Sequence, residues 1–238
     1  MPHVYRFYVP PDVCVADEVR LPAEEAHHAL HVVRVRVGDP AVVFDGCGRE
    51  LLGTVGNVTR RDVTITVTEE RRTPAPSKRL TLFQAWLHRE KPLEELIRRA
   101  TELGVSRLLF FRAAHSERFS RVSKRLQRVA VETCKQCGRV WLPTFDIAQD
   151  LKSALEASAS KLLILAKDLE PVPLRAVVGG DEIGLIVGPE GDFSQAELDL
   201  ALERGASPIS LGPGTFRSEV AAALAAALVL YEWGLLAE

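Results

Sequence analysis

No stretch of this 238-residue chain is apolar for long enough to span a membrane. The longest candidate, residues 221–230, is short and mostly alanine. No membrane partner is therefore expected. No secretory leader is expected either, because Met1-Pro2-His3-Val4-Tyr5-Arg6 contains no apolar core. Cysteine is scarce: four residues, unevenly spaced, make no disulfide framework, and a reducing, cytoplasmic setting is expected. Neither sign of charge dominates. The 30 Lys and Arg against 32 Asp and Glu leave a net charge of -2, so any nucleic-acid surface must be local. Several motifs are missing as well. Residues 188–194 lack the lysine and spacing of a phosphate-binding Walker loop. No Gly-x-Gly-x-x-Gly follows a first strand, and no Gly-x-Ser-x-Gly occurs. Nicotinamide, ATP and acyl chemistry are left without support. There is no internal repeat and no low-complexity segment.

The chain does contain ample apolar material, 47% of residues, enough for one large domain or two small ones. Strands are predicted over residues 4–9, 41–44, 51–55 and 63–68, the last from alternation of Val63, Ile65 and Val67 with threonines. A helix over residues 22–33 interrupts them. Short strands with glycine turns suggest a small barrel. Residues 71–78, with Pro74 and Pro76, read as a linker. Beyond it strands and helices alternate, which predicts an α/β domain with a mostly parallel sheet and helices on both faces. The expected strands cover 80–87, 108–111, 162–165, 184–187 and 208–211, and the expected helices lie near 93–103, 120–136 and 151–157, after Ser194 and at the C-terminus. The division is placed at residues 1–73 and 74–238.

Two loops organise the second half. Gly188-Pro189-Glu190-Gly191-Asp192-Phe193-Ser194 follows one strand, and Ser194 with Glu197 forms a capping box for the helix that Gly205 ends. Gly212-Pro213-Gly214-Thr215-Phe216-Arg217-Ser218-Glu219 follows the next strand and leads into an alanine-rich helix. In α/β folds ligands sit outside the carboxyl ends of strands, and glycine allows close backbone approach. Gly-Pro pairs are also ordinary turn punctuation. Elsewhere, His27 and His31 stand four apart and could share a metal-binding helical face, but no third ligand is evident, so no metal is expected. Cys134-Lys135-Gln136-Cys137 reads as partly buried thiols, since Cys14 and Cys47 form no second pair. On the helix near 120–136, Val122, Leu126, Val129 and Thr133 are expected to face inward. The basic groups Arg118, Arg121, Lys124, Arg125, Arg128 and Arg71, Arg72, Lys78, Arg79 could track phosphates or be charged outer faces. Lys135 is expected on the outer side with them.

These loops, with Ala100-Thr101-Glu102-Leu103-Gly104-Val105, Ser116-Glu117-Arg118, Gln136-Cys137-Gly138-Arg139 and the histidine-rich segment running to Arg34, resemble the RsmE family. That family comprises S-adenosylmethionine-dependent 16S ribosomal RNA (uridine-N3) methyltransferases of the SPOUT superfamily. The resemblance covers nearly the whole chain. It departs at Asp192, where the family usually has glycine, in Gly214-Thr215-Phe216, and at Ser218, where threonine is usual. It implies a PUA-like β-barrel that binds RNA, then a SPOUT α/β domain with a trefoil knot, in a homodimer acting on 16S rRNA or the 30S subunit. It also implies that Leu165, Gly188, Pro189, Glu190, Gly191, Leu211, Gly212 and Phe216 bind S-adenosylmethionine. Arg217 and Glu219 would be catalytic, Glu219 either accepting a proton or orienting Arg217 and capping the last helix. Arg34, Arg118 and Arg139 would contact RNA, although a solvated surface arginine is an equal reading of Arg34. Val220, Leu224, Leu228, Tyr231 and Leu235 form an apolar stripe suited to a dimer contact or to a monomer core. A SPOUT enzyme modifying transfer RNA, or a non-catalytic RNA-binding assembly factor, are the alternatives.

Overall fold

Period-2 alternation builds the first sheet of the computed structural model, which describes residues 4–14, 17–116, 119–156 and 161–236. Its strands are β1 (Tyr5–Tyr8), β2 (Glu18–Arg20), β3 (Pro40–Phe44), β4 (Arg49–Val58) and β5 (Val63–Arg72). Val63 and Ile65 are buried while Thr66 and Thr68 face solvent, as the alternation requires. The hydrogen-bonded order is β1-β3-β4-β5-β2, parallel between β1 and β3 and antiparallel elsewhere. Among the described residues the ladder stays open, with β1 and β2 as its edges. Register shifts at Leu52/Gly53 and Val55/Asn57 interrupt the long β4–β5 pair, and such bulges bend a strand. Phe7, Val19, Leu21, Val43, Leu51 and Ile65 pack in the core beside it. The three-residue β2 gave no periodic signal to read.

The helix expected over 22–33 is two pieces. Helix α1 (Ala23–His27) passes into a π-helical turn, His28–Val33, which ends at Arg34 in the left-handed region with φ 56°. Local pattern does not encode that widening. The three histidines separate in role: the His27 and His31 rings pack 4.6 Å apart, whereas His28 Nδ1 lies 3.2 Å from Lys135 Nζ.

The described residues group as two compact units, Met1–Ala75 with Val131–Leu142, and Pro76–Ala130 with Pro143–Glu238. Residues 131–142, expected in the α/β half, therefore group with the first sheet. The reason lies in their contacts. Leu142 N donates to Gly46 O, Gly48 N donates to Val140 O, and Trp141 Nε1 donates to Thr73 O and Pro74 O. Lys135 is nearly buried, 7% exposed at its side chain, and bridges Glu25 at 3.1 Å. This corrects the expectation that Lys135 lies on an outward basic face. Burial pushes the Glu25 carboxyl up against the pull of Lys135, and burial first, then Lys135, pushes the His28 imidazole down.

The second unit is built on strands β6 (Arg79–Ala85), β7 (Arg107–Phe111), β8 (Thr144–Ala148), β9 (Lys161–Leu165), β10 (Glu182–Val187) and β11 (Ser207–Ile209). All pairs are parallel, in the order β11-β9-β10-β6-β7-β8. Leu108 to Phe111 and Ile183 to Val187 are buried at every position, the continuous apolar run of a strand covered on both faces. Strand β8 escaped the sequence reading because it is a half-exposed edge. Helices α2 (Glu90–Leu103), α3 (Lys124–Cys137), α4 (Leu151–Glu156), α5 (Leu174–Val177), α6 (Gln195–Glu203) and α7 (Ser218–Glu232) connect or follow the strands. The four-residue α5 is too short for periodicity to reveal. Gly104 (φ 85°) and Gly205 (φ 79°) stop α2 and α6 as expected. On α3, Leu126 and Thr133 are buried as expected, together with Ala130 and Cys134; Val129 is half-buried and Val122 precedes the helix. Helix α7 buries Ala222, Ala225, Ala226, Val229 and Leu230 against β10, β6 and α2. Its other stripe, Val220, Leu224, Leu228 and Tyr231, is 40–61% exposed, so this stripe is not core.

A Cβ built on Gly53 would stand 1.9 Å from the backbone oxygen of Thr66. Gly53→Ala should destabilise the protein by about 1–3 kcal/mol in urea unfolding, since backbone must move to admit the methyl. The thiols should also sort by environment. Cys14 and Cys134 are buried, and burial pushes Cys134 up to about 12. Cys47 and Cys137 are exposed, with Cys47 raised by desolvation and then by Asp45. Iodoacetamide at mildly alkaline pH should label Cys137 first and Cys47 more slowly, with Cys14 and Cys134 reacting only after denaturation, as read by peptide mass spectrometry.

Candidate active site

Parallel pairing places the carboxyl ends of four strands on one edge. Val187 pairs with Gln84, Ile186 with Ile164 and Ile209 with Leu165. The segments leaving β9, β10 and β11 meet there and wall a cavity of about 660 Å³, within the size range of small-molecule sites. Leu165 lines it from the end of β9. Gly188, Pro189, Glu190 and Gly191 line it from the first loop. Leu211, Gly212, Phe216, Arg217 and Glu219 line it from the second. His88, Arg89, His115 and Lys167 complete the wall, and the sequence reading missed all four. They follow β6, β7 and β9, so the rule that ligands sit at strand carboxyl ends was the signal that could have found them.

Polar contacts hold the first loop. The Glu190 carboxylate accepts the His88 amide at 3.1 Å, which ties the loop to the segment after β6. Gly191 lies so close to His115 that an added Cβ would meet the His115 Cβ at 3.0 Å. His115 Nδ1 lies 3.0 Å from the Asp192 carbonyl; because a carbonyl only accepts, this nitrogen carries the proton. Asp192 takes φ 62°, and its Oδ1 accepts the Phe193 amide at 3.0 Å. Aspartate is among the few non-glycine residues that enter this region readily, because its short side chain bonds locally. The Glu197 carboxylate reaches back to Ser194 N at 2.9 Å, as the capping box requires, and also accepts the Ala114 amide at 2.9 Å.

The second loop is more exposed. Gly212 has φ 98° and its amide donates to Ser210 Oγ. Lys167 Nζ donates to Thr215 Oγ1 at 3.0 Å. Arg217 caps α7 with extended backbone, and its guanidinium is exposed with no partner among the described residues. Glu219 lies in the first turn of α7 and makes no hydrogen bond or ion pair with Arg217, so the expected orienting contact is absent. The amides of Glu190, Gly191, Leu211 and Phe216 donate to no partner among the described residues. Unpaired amides beside the apolar Leu165, Ile209, Leu211 and Phe216 fit a nucleoside-like ligand, whose ring needs enclosure and whose edges need donors.

The expected RNA contacts lie elsewhere. Arg34 is exposed at the end of the π-helical turn, and Arg139 is half-buried in the first unit. Arg118 lies outside the described residues. Much of the expected basic track is paired: Arg125 with Glu90 and Glu94, Arg71 with Glu69, and Arg72 with Glu70. No group of three or more metal-ligating side chains gathers among the described residues.

Comparison with known proteins finds two family matches along the chain. Residues 21–68 match the family model described as RNA methyltransferase PUA domain, and residues 73–230 match the RNA methyltransferase domain. The chain is 30% identical to the ribosomal RNA small subunit methyltransferase E of Synechocystis sp., over 94% of this chain and 77% of that protein. It is 26% identical to the Rickettsia conorii protein of the same name, over 94% of each. A solved structure of ribosomal RNA small subunit methyltransferase E from Neisseria gonorrhoeae, bound to S-adenosyl methionine, superposes with a TM-score of 0.86. That match has 26% identity and covers 96% of this chain and 98% of that one.

The left-handed Asp192 supplies a test. Asp192→Ala should destabilise the fold by about 1 kcal/mol, while Asp192→Gly, which loses the local hydrogen bond but relieves the strain, should stay within about half that in urea unfolding.

Proposed function

We propose the function from one premise: the chain belongs to the ribosomal RNA small subunit methyltransferase E family. It is an S-adenosylmethionine-dependent rRNA methyltransferase. The acceptor in this reading is N3 of a uridine in 16S rRNA, within the small ribosomal subunit. The observation that carries it is the cavity where the two glycine loops meet, walled by Arg217 and Glu219 and lined by unpaired amides.

When bound, S-adenosylmethionine supplies an electrophilic methyl group. Leu165, Leu211 and Phe216 would enclose its rings, and the amides of Glu190, Gly191, Leu211 and Phe216 would read its polar edges. Gly188, Pro189 and Gly212 would shape the walls. Glu190 would serve chiefly by holding the first loop against His88. A neutral uracil N3 is a poor nucleophile and must release its proton as the new bond forms. Arg217, exposed and unpaired, is free to bind the uracil oxygen on which negative charge develops. Glu219 is the carboxylate of the second loop available to accept the N3 proton. Its place in the first turn of α7 also complements the helix dipole. Asp192 adopts the positive φ that glycine would take there, which argues against reading that departure as loss of catalysis.

The PUA-like unit would grip RNA through Arg34 and Arg139, while the α/β unit, of SPOUT type with a trefoil knot, handles a base turned out of its stack. Homodimerisation would cover the exposed stripe of Val220, Leu224, Leu228, Tyr231 and Leu235. A cytoplasmic location follows from the substrate.

Purified protein, tritiated S-adenosylmethionine and 30S subunits from a strain lacking the endogenous enzyme should give 3-methyluridine in 16S RNA on nucleoside analysis. Label confined to transfer RNA, or no label at all, would overturn the reading. Arg217→Ala should lower kcat by about 10²–10³-fold, while cofactor affinity changes little.

A further inference from the structure

Gln84 and Ser218 are buried polar residues to which the reaction just described gives no role. Gln84 Nε2 lies 3.0 Å from Ala85 O, 3.3 Å from Gly188 O and 2.9 Å from Ser218 Oγ. Two of these acceptors are carbonyls, which have no proton to offer, so the amide stands with its nitrogen toward them. Ser218 Oγ accepts from Gln84 and donates its one proton to Gly188 O. The Gln84 Oε1 is buried without a partner, so the amide is held through its nitrogen alone. The contact joins chain positions 104 and 134 residues from Gln84.

Three segments converge here: the end of β6, the first residue after β10 and the first residue of α7. Gly188 opens the first loop, and Ser218 directly follows Arg217. We propose that Gln84 and Ser218 are positioning residues, a hydrogen-bonded pin that sets where Arg217 stands relative to the 188–194 loop. The proposal rests on the reaction assigned above. The Arg217 side chain has no partner of its own among the described residues; its carbonyl accepts the Val220 and Ala221 amides, which ties it to the start of α7, and the adjacent Ser218 contact ties that start to Gly188 and Gln84. Misplacement of an otherwise intact catalytic group by about 1 Å costs on the order of a hundredfold in rate.

The test compares Ser218→Ala, Ser218→Val, Ser218→Thr and Gln84→Met. Each is assayed for kcat at saturating substrates, for S-adenosylmethionine affinity by calorimetry, and for amide hydrogen exchange over residues 188–194, well below the melting temperature. In Ser218→Ala and Gln84→Met, kcat should fall by about ten- to a hundredfold, with a smaller change in cofactor affinity. Exchange across 188–194 should quicken. Ser218→Thr keeps the hydroxyl and should recover most of the lost rate; Ser218→Val has the shape of threonine without the donor and should not. Equal rates for the valine and threonine variants, or native kcat and exchange in Ser218→Ala, would overturn the pin. If the unaltered protein methylates no uridine, the assigned reaction fails. The exchange measurement then decides the pin alone: quickened exchange upholds it and unchanged exchange overturns it.

Discussion

Because β6, β9, β10 and β11 all run in one direction, their carboxyl ends reach the same edge of the sheet, and the loops that wall the cavity meet there. Parallel strands cannot be joined by tight hairpins, so each return needs a crossover of a dozen or more residues. That is why residues far apart in the chain, such as Leu165, Gly188 and Leu211, become neighbours. Strand β10 matters most in this arrangement. It is hydrogen-bonded on both sides, to β9 and to β6, and every one of its residues from Ile183 to Val187 is buried. A loop leaving so fixed a strand begins at a fixed point, and Glu190 and Glu197 then tie it to the backbone of His88 and Ala114.

The first unit places a different demand on its chemistry. Lys135 and Glu25 are almost wholly shielded from water, at 7% and 10% side-chain exposure. Such a pair contributes little net stability, because both ions lose hydration, but loss of one partner typically costs about 3–5 kcal/mol. The neutral His28 beside Lys135 avoids a second positive charge in the same place.

The sequence was most readable where burial imposes a pattern. Alternation located β5, and an uninterrupted apolar run located β7 and β10. Capping chemistry marked both ends of α6, because Ser194, Glu197 and Gly205 each satisfy a local geometric need. The loop residues could be named because glycine and proline advertise unusual backbone. What stayed hidden depended on contacts made at long range. Nothing local distinguishes Lys135 from the solvated Lys124, and the partner that buries Lys135 is Glu25. His88 and His115 reach the cavity wall only through strand order, which no local window contains. The π-helical turn before Arg34 follows no hydrophobic period.

The first unit is discontinuous: Val131–Leu142 joins Met1–Ala75 after an interval that belongs to the other unit. Glu25 and its cation are separated by 110 positions. A ribosome adding about 5–20 residues per second would deliver Lys135 some 5–20 s after Glu25. For that interval the carboxylate has no lysine to bury against, and Trp141 is not yet present to accept its place beside Thr73 and Pro74. The N-terminal sheet is therefore synthesised before all of its partners, and it can finish only after residues 131–142 have followed. Its maturation is timed by a helix encoded well inside the other half of the chain.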